Sequence, residues 1–273
     1  MADRGKRAVK KQFDGYYYKH QTKDHTLCLI AGKAYGGPFI QVITKSQSFC
    51  VPFGKNNRFS PDGVHLEIES DAFTLTGEIA YRNLSPIRYD IMGPFRYFPM
   101  ECRHGIISMS HQLSGGVIFN GQEMDFTGGK GYMEKDSGTS FPKSYVWAQA
   151  NAFDEPCSVM VSVADIPFFG FRFDGCICVV HYKGKEYRLA TYLGVRVECC
   201  TQRKIILSQR QYRLVLSIDA DRGHPLAAPA RGEMTRTILE NPACPMQVQF
   251  FEHGRLVFDL STNQGSFEYE APK

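Results

Sequence analysis

The chain has 273 residues, of which 43% are hydrophobic and 22% are charged. This share of apolar residues is enough to build a core, and it excludes intrinsic disorder as the main state of the chain. The formal net charge is +4, and residues 1–11 carry all of that excess, with five basic residues against one acidic residue. We therefore expect a disordered basic tail over 1–11. Because the rest of the chain is formally neutral and shows no basic stripe, we expect no nucleic-acid partner.

The cysteines and the apolar runs bear on the cellular compartment and on membrane association. Nine cysteines are an odd number, and the chain has no C-x-x-C pair, so neither a disulfide framework nor a zinc site is indicated. The N-terminus lacks the apolar core of a signal peptide, and runs such as 176–180 are far shorter than the roughly 18–20 residues that cross a bilayer. We expect a cytoplasmic protein with no membrane span and no metal.

Alternating side chains and frequent turns predict the fold class. Residues 64–69 and 212–218 alternate apolar and polar side chains with a period of two, which is typical of half-buried strands. Asn120-Gly121 suits a type I′ hairpin turn, and Lys183-Gly184 and His253-Gly254 interrupt neighbouring runs in the same way. Many short strands between such turns predict an all-β antiparallel barrel or sandwich.

At this length, two barrel-like halves are more plausible than one large barrel. The Gly-rich stretch 127–131 is the expected join, which gives an N-terminal half over 12–126 and a C-terminal half over 127–273. Aromatic residues make up 13% of the chain. They either fill the core or line a pocket for a hydrophobic or phenolic small molecule.

Two carboxylates and a histidine are the first candidates for catalytic residues. Glu134 and Asp136 are two residues apart, so on an extended strand they share a face while Lys135 points away. Like charges held close together raise the pKa of one member, which then serves as a proton donor near neutral pH. The alternative is that this segment is a solvent-exposed strand edge with Lys135 as a surface cation. Upstream, His104 either relays a proton or lies in the core with its hydrogen bonds made. Glu101 and Arg103 share the opposite face of the same strand.

The segment after Pro142 has two contrasting faces. One face carries small apolar side chains, and the other carries Tyr145, Trp147, Gln149 and Asn151. Buried amides are costly unless they are hydrogen-bonded. The polar and aromatic face therefore indicates either a pocket wall or a structural polar network.

The longest of these motifs resembles a known family. Residues 134–142, followed by Trp147, Gln149 and Asn151, are similar to the signature of the tocopherol cyclase family, and bacterial members are more similar than plant ones. Weaker matches occur at 13–19, 92–95, 101–105 and 265–269. Two positions depart from the pattern, because Ser137 and Tyr16 stand where tryptophan is common in the family.

The resemblance implies two lipocalin-like β-barrel halves and chemistry that needs no cofactor. In that chemistry an alkene is protonated, and a phenol oxygen captures the electron-poor carbon in an intramolecular cyclisation or isomerisation. Related hydratases use water instead. The expected proton donor is Asp136 or Glu134, with His104 and Lys135 in support. The expected substrate-binding residues are Ser137, Tyr145, Trp147, Gln149, Asn151, Glu101 and Arg103. A non-catalytic carrier and a pericyclase on the same scaffold are the alternatives.

Overall fold

The computed structural model describes residues 11–168 and 170–271. Nearly all of the predicted basic tail therefore lies outside the described residues. Within them the chain forms twenty strands and two short 3-10 helices, at Gly93–Tyr97 and Thr191–Leu193. None of the helices in this part of the chain is long and apolar enough to cross a membrane. The all-β prediction is confirmed.

The strands form two curled antiparallel sheets of ten strands each. The first sheet contains β1 (Phe13–Gln21), β2 (Thr26–Ala34), β3 (Gly37–Thr44), β4 (Ser48–Pro52), β5 (Arg58–Ser60), β6 (Gly63–Glu69), β7 (Thr74–Arg82), β8 (Cys102–Phe119), β9 (Gln122–Asp125) and β10 (Lys130–Gly138). The second contains β11 (Tyr145–Ala150), β12 (Cys157–Phe168), β13 (Phe171–Tyr182), β14 (Lys185–Ala190), β15 (Arg196–Cys200), β16 (Lys204–Gln209), β17 (Tyr212–Ile218), β18 (His224–Ala230), β19 (Glu233–Glu252) and β20 (Arg255–Glu270).

Both sheets have the same topology, because the first strand of each half pairs with its last. The first sheet runs β4-β3-β2-β1-β10-β8-β7-β6-β5, and the second runs β14-β13-β12-β11-β20-β19-β17-β16-β15. The extra strands β9 and β18 pair with β8 and β19. Each half is thus a lipocalin-like half-barrel, as the resemblance implied.

The two sheets divide later in the chain than the sequence predicts. The expected join lay at 126/127, but β10 pairs with β1 along its whole length, from Phe13 with Gly138 to Gln21 with Lys130. The break falls between Gly138 and Tyr145, where β10 ends and β11 begins. The Gly-rich stretch instead lies within the first half, where 127–129 belong to the connection from β9 and 130–131 begin β10.

The three predicted hairpin turns each contain two consecutive residues with left-handed backbone. Asn120 and Gly121 have φ angles of 50° and 79°, as a type I′ turn requires at both central positions. The same pairing of positive φ angles occurs at Lys183-Gly184 and His253-Gly254. These turns join β8 to β9, β13 to β14, and β19 to β20.

Apolar side chains fill the inside of each half and also the space between the halves. Leu29, Leu66 and Leu75 belong to the first interior cluster, and Leu207 and Leu216 to the second. A third cluster lies between the halves and takes Tyr17 and Tyr132 from the first and Trp147 and Met160 from the second. The interface between the halves is therefore a core of its own.

The connection from β7 to β8 lies against the second half. Arg188 on β14 donates hydrogen bonds to the carbonyl oxygens of Tyr89 at 2.9 Å and Asp90 at 3.0 Å. The Ser85 hydroxyl also lies 3.2 Å from His181 Nδ1. These contacts hold in place the residues that follow, including Met92 and the first 3-10 helix, at the edge of the site described next.

Candidate active site

Side chains of β1 and β11 meet across the interface in matched pairs. Residues 130 positions apart in the chain face one another, so equivalent positions of the two halves are in contact. The pairs are Tyr17 with Trp147, whose rings are 5.5 Å apart; Lys19 with Gln149, joined by a 3.3 Å hydrogen bond; and Gln21 with Asn151, joined by an amide hydrogen bond. We call this row of pairs the seam.

A cavity of about 170 Å³ opens beside the seam and takes its walls from both halves. Aromatic rings supply much of its surface, namely Phe13, Tyr16, Tyr17, Phe39, Phe95, Phe141, Tyr145, Trp147 and Phe173. Its ionisable side chains include Glu101, His104, Glu134, Asp136 and Glu268. An apolar pocket with a few converging polar groups is the usual form of a small-molecule site.

His104 lies between two carboxylates, and we call His104, Glu134 and Asp136 the triad. Strand pairing places His104 directly opposite Asp136 on β8 and β10. His104 Nδ1 is 2.9 Å from Asp136 Oδ1, and Nε2 is 3.3 Å from Glu134 Oε2. Burial lowers the pKa of His104, but the two carboxylates overcome that effect and raise it well above its ordinary value. The two carboxylates therefore favour the protonated form of this imidazole.

The carboxylate of Glu134 is held by further donors. Tyr132 donates its hydroxyl to Glu134 Oε2 at 2.5 Å, and Trp147 donates its indole N–H to the same oxygen at 3.3 Å. Trp147 belongs to the second half, so this contact links the triad to the opposite wall. A carboxylate with several donors is fixed in position before any ligand arrives.

The triad also has the spacing of a cation site. Ligand atoms of its three members all lie within 4.8 Å of one another. Nδ1 of His104 is hydrogen-bonded to Asp136 Oδ1 at 2.9 Å, whereas the buried Nε2 lies 3.3 Å from Glu134 Oε2 without making a hydrogen bond.

The predicted site residues fall into three groups. Six line the cavity: Glu101, His104, Glu134, Asp136, Tyr145 and Trp147. Gln149 and Asn151 are fully buried in the seam, where Asn151 also donates to the carbonyl oxygen of Gly131 at 2.9 Å. The rest lie off the cavity wall, namely Lys135, Ser137 and Arg103.

Lys135 contacts the cavity only through another side chain. Its ammonium group pairs with Asp14 at 2.8 Å and donates to the Tyr16 hydroxyl at 3.2 Å. Arg103 is exposed and donates to the carbonyl oxygen of Phe98 at 3.4 Å. Ser137 pairs with Asp14 and Arg103 on the neighbouring strands, and it is not among the residues that line the cavity.

Sequence reasoning missed two carboxyl groups on the second sheet. Glu240 and Glu268 are partners in the pairing of β19 with β20. Glu268 lines the cavity and accepts a 2.5 Å hydrogen bond from the Tyr145 hydroxyl, while fully buried Glu240 accepts one from the Tyr17 hydroxyl at 2.6 Å. The alternation of Ser266, Glu268 and Glu270 was the available signal, but register shifts in the β19–β20 hairpin hide which residue opposes Glu268.

Comparison with known proteins agrees with this architecture. The tocopherol cyclase-like family matches residues 72–269, so the chain belongs to that family, as its motifs predicted. A rice protein described as a probable tocopherol cyclase of the chloroplast is 25% identical over 193 residues, which cover 63% of this chain. The chain matches only 40% of the length of that protein.

Two solved structures share the fold. Kievitone hydratase from Nectria haematococca superposes with a TM-score of 0.56 at 11% identity, covering 96% of this chain and 89% of its own. CghA with Sch210972 gives a TM-score of 0.58 at 10% identity with the same coverage. At such low identity the likeness concerns the fold alone.

Proposed function

We propose that the protein is an intramolecular cyclase that adds a phenol oxygen across a carbon–carbon double bond. The family supports an enzyme of the cyclase or hydratase type. The observation that carries the proposal is the triad: a buried imidazole between two carboxylates, on the wall of an aromatic cavity. Proton transfer and aromatic stabilisation of positive charge are what such a cyclisation requires, and no cofactor is needed.

The size of the cavity favours a compact substrate. Its volume of about 170 Å³ is below the range of about 300–1,000 Å³ typical of pockets for drug-sized ligands. A compact polyphenol or chalcone fits this space better than a long prenyl chain enclosed as a whole. The substrate class we propose is therefore a small phenolic alkene.

Each group in the site has a proposed task. The triad exchanges protons with the substrate, and Tyr145 and Trp147 face the carbon that becomes electron-poor. Lys135 acts indirectly, because its contact with the Tyr16 hydroxyl fixes a ring that lines the cavity. Gln149 and Asn151 hold the seam together and do not touch the substrate.

The test is incubation of the purified protein with chalcones, flavanonols, prenylated hydroquinones and carotenoids, followed by chiral chromatography and mass spectrometry. A product of unchanged mass and new retention time supports a cyclase, and a gain of one water supports a hydratase. Asp136→Asn should lower turnover by about 10²–10⁴-fold, the usual contribution of a positioned acid or base. Asp71→Asn, at an exposed turn, is the matched control and should retain turnover.

Two results would contradict the proposal. Full activity of Asp136→Asn would remove the triad from the reaction. Ligand that binds tightly and is recovered unaltered from both the wild type and Asp136→Asn would indicate a carrier instead.

A further inference from the structure

The second half brings its own carboxyl group to the cavity. Glu268 lines the wall that β11 and β20 build, and its strand partner on β11 is Trp147. Among the described residues, its side chain makes a single hydrogen bond, from Tyr145 to Oε2. The other oxygen, Oε1, is therefore available to a ligand in the cavity.

A second carboxyl group lies beside Glu268, on the neighbouring strand. Glu240 is its partner on β19, and directly opposed residues of antiparallel strands place their side chains on the same face, about 5 Å apart. Glu240 is fully buried, and its Oε2 has no hydrogen-bond partner among the described residues. Two carboxyl groups this close and this well buried are costly to ionise together, so one of them favours the neutral form.

We propose that Glu268 donates the proton to the substrate alkene, and that Glu240 is a positioning residue that keeps Glu268 protonated. This proposal rests on the proposed cyclase function. It assigns protonation of the alkene to the cavity wall of the second half, and deprotonation of the phenol to the wall of the first half. The triad, with two carboxylates around one imidazolium, then receives the proton that the phenol loses.

The charges around the pair agree with this division. Burial, reinforced by Glu240, Glu134 and Asp136, raises the pKa of Glu268 well above its usual range, against the lowering effect of the Tyr145 hydrogen bond. Burial also raises the pKa of Glu240 to about 7, although Tyr17 and Lys19 oppose that change. A carboxyl group with a raised pKa is suited to donate a proton near neutral pH.

The step balances in atoms and charge. The Glu268 carboxyl proton forms the new C–H bond, and the phenol oxygen forms the C–O bond with the carbon left electron-poor. The phenol proton passes to Asp136 or Glu134. The product is an isomer of the substrate. After it leaves, the triad releases the phenol proton to solvent and Glu268 takes one up, which restores the starting state.

The first measurement is a titration of the protein labelled with carboxyl-¹³C glutamate, followed by NMR, with Glu268→Gln used to assign the signal. We expect Glu268 to be neutral at pH 7 in the wild type. In Glu240→Gln, which keeps an acceptor for Tyr17, the midpoint of Glu268 should fall by at least about one pH unit. An ionised Glu268 at pH 7, or an unchanged midpoint in the variant, would overturn the proposal. If the variant does not fold, the wild-type titration still decides the first point.

The second measurement uses the substrate identified by the incubation described above. Glu268→Gln should lower kcat/KM by about 10²-fold or more, while Glu123→Gln, on exposed β9, should leave it unchanged. In Glu240→Gln, the fall of kcat/KM with rising pH should occur at lower pH than in the wild type. If Glu268 is neutral but none of the substrates is converted, the effect of Glu240 on Glu268 stands and the proposed function is refuted. Turnover that survives Glu268→Gln would refute the donor assignment alone.

Discussion

Replacing Lys19 with methionine should change how stability depends on pH. Lys19 is fully buried in the seam, where it donates to the carbonyl oxygen of Gln264 at 2.6 Å and to the Gln149 side chain. Burial lowers the pKa of Lys19 from 10.5 to about 8, despite nearby acidic groups such as Glu240. In the folded protein this lysine therefore holds its proton less tightly than in the unfolded chain.

The magnitude follows from that difference in pKa. At about 1.4 kcal/mol for each pKa unit, a fall of about 2.5 corresponds to about 3 kcal/mol of lost stability while Lys19 is charged in both states. The full cost applies below pH 8. Between about pH 8 and 10.5 the unfolded chain binds more protons than the folded protein, so the free energy of unfolding rises and the cost disappears.

Lys19→Met removes this titration. We expect the free energy of unfolding of the wild type, minus that of the variant, to grow by about 3 kcal/mol between pH 7 and pH 10.5. Urea unfolding in the presence of a reductant, followed by circular dichroism at several pH values, measures it. The matched control is Lys183→Met, because Glu155 raises the pKa of exposed Lys183 and its loss cannot produce the same trend. A wild-type-minus-variant difference that is constant over this range would refute the reasoning.

Two further substitutions test packing and hydrogen bonding near the site. A Cβ on Gly131 would lie 2.1 Å from His111 Nε2, so Gly131→Ala should lower the free energy of unfolding by about 1–3 kcal/mol. Gly36→Ala, whose Cβ meets nothing within 4 Å, should show no such loss in the same urea assay. Tyr132→Phe removes the 2.5 Å hydrogen bond to Glu134 and should cost about 1–3 kcal/mol, and an unchanged urea midpoint would show that this bond contributes nothing.

Short-range patterns predicted the elements of the fold well. Alternation over 64–69 and 212–218 corresponds to β6 and β17, and the Asn120-Gly121 turn has the backbone that its residues favour. These features depend on neighbours in the chain. The join between the halves depends instead on β10 finding β1 more than 100 residues upstream, and no local signal marks such a pairing.

The same distinction applies to the candidate site. A period of two correctly places Glu134 and Asp136 on one face, but only strand register brings His104 opposite Asp136. Gln149 shares a face with Trp147, as the alternation indicates, yet contacts between the halves bury it in the seam against Lys19. Glu240 and Glu268 oppose each other within the β19–β20 hairpin, but register shifts along that hairpin prevent the turn alone from predicting the pair.

The seam also bears on how one chain can hold unlike chemical groups at equivalent positions. A symmetric dimer of one half would place identical side chains on both sides of its axis. Here the matched positions have diverged, with Tyr17 facing Trp147 and Lys19 facing Gln149. Because the two halves are covalently joined, each wall of the cavity can be mutated independently of the other. Joining the halves in one chain thus allows an asymmetric environment, to which a substrate with two different ends can bind in a single orientation.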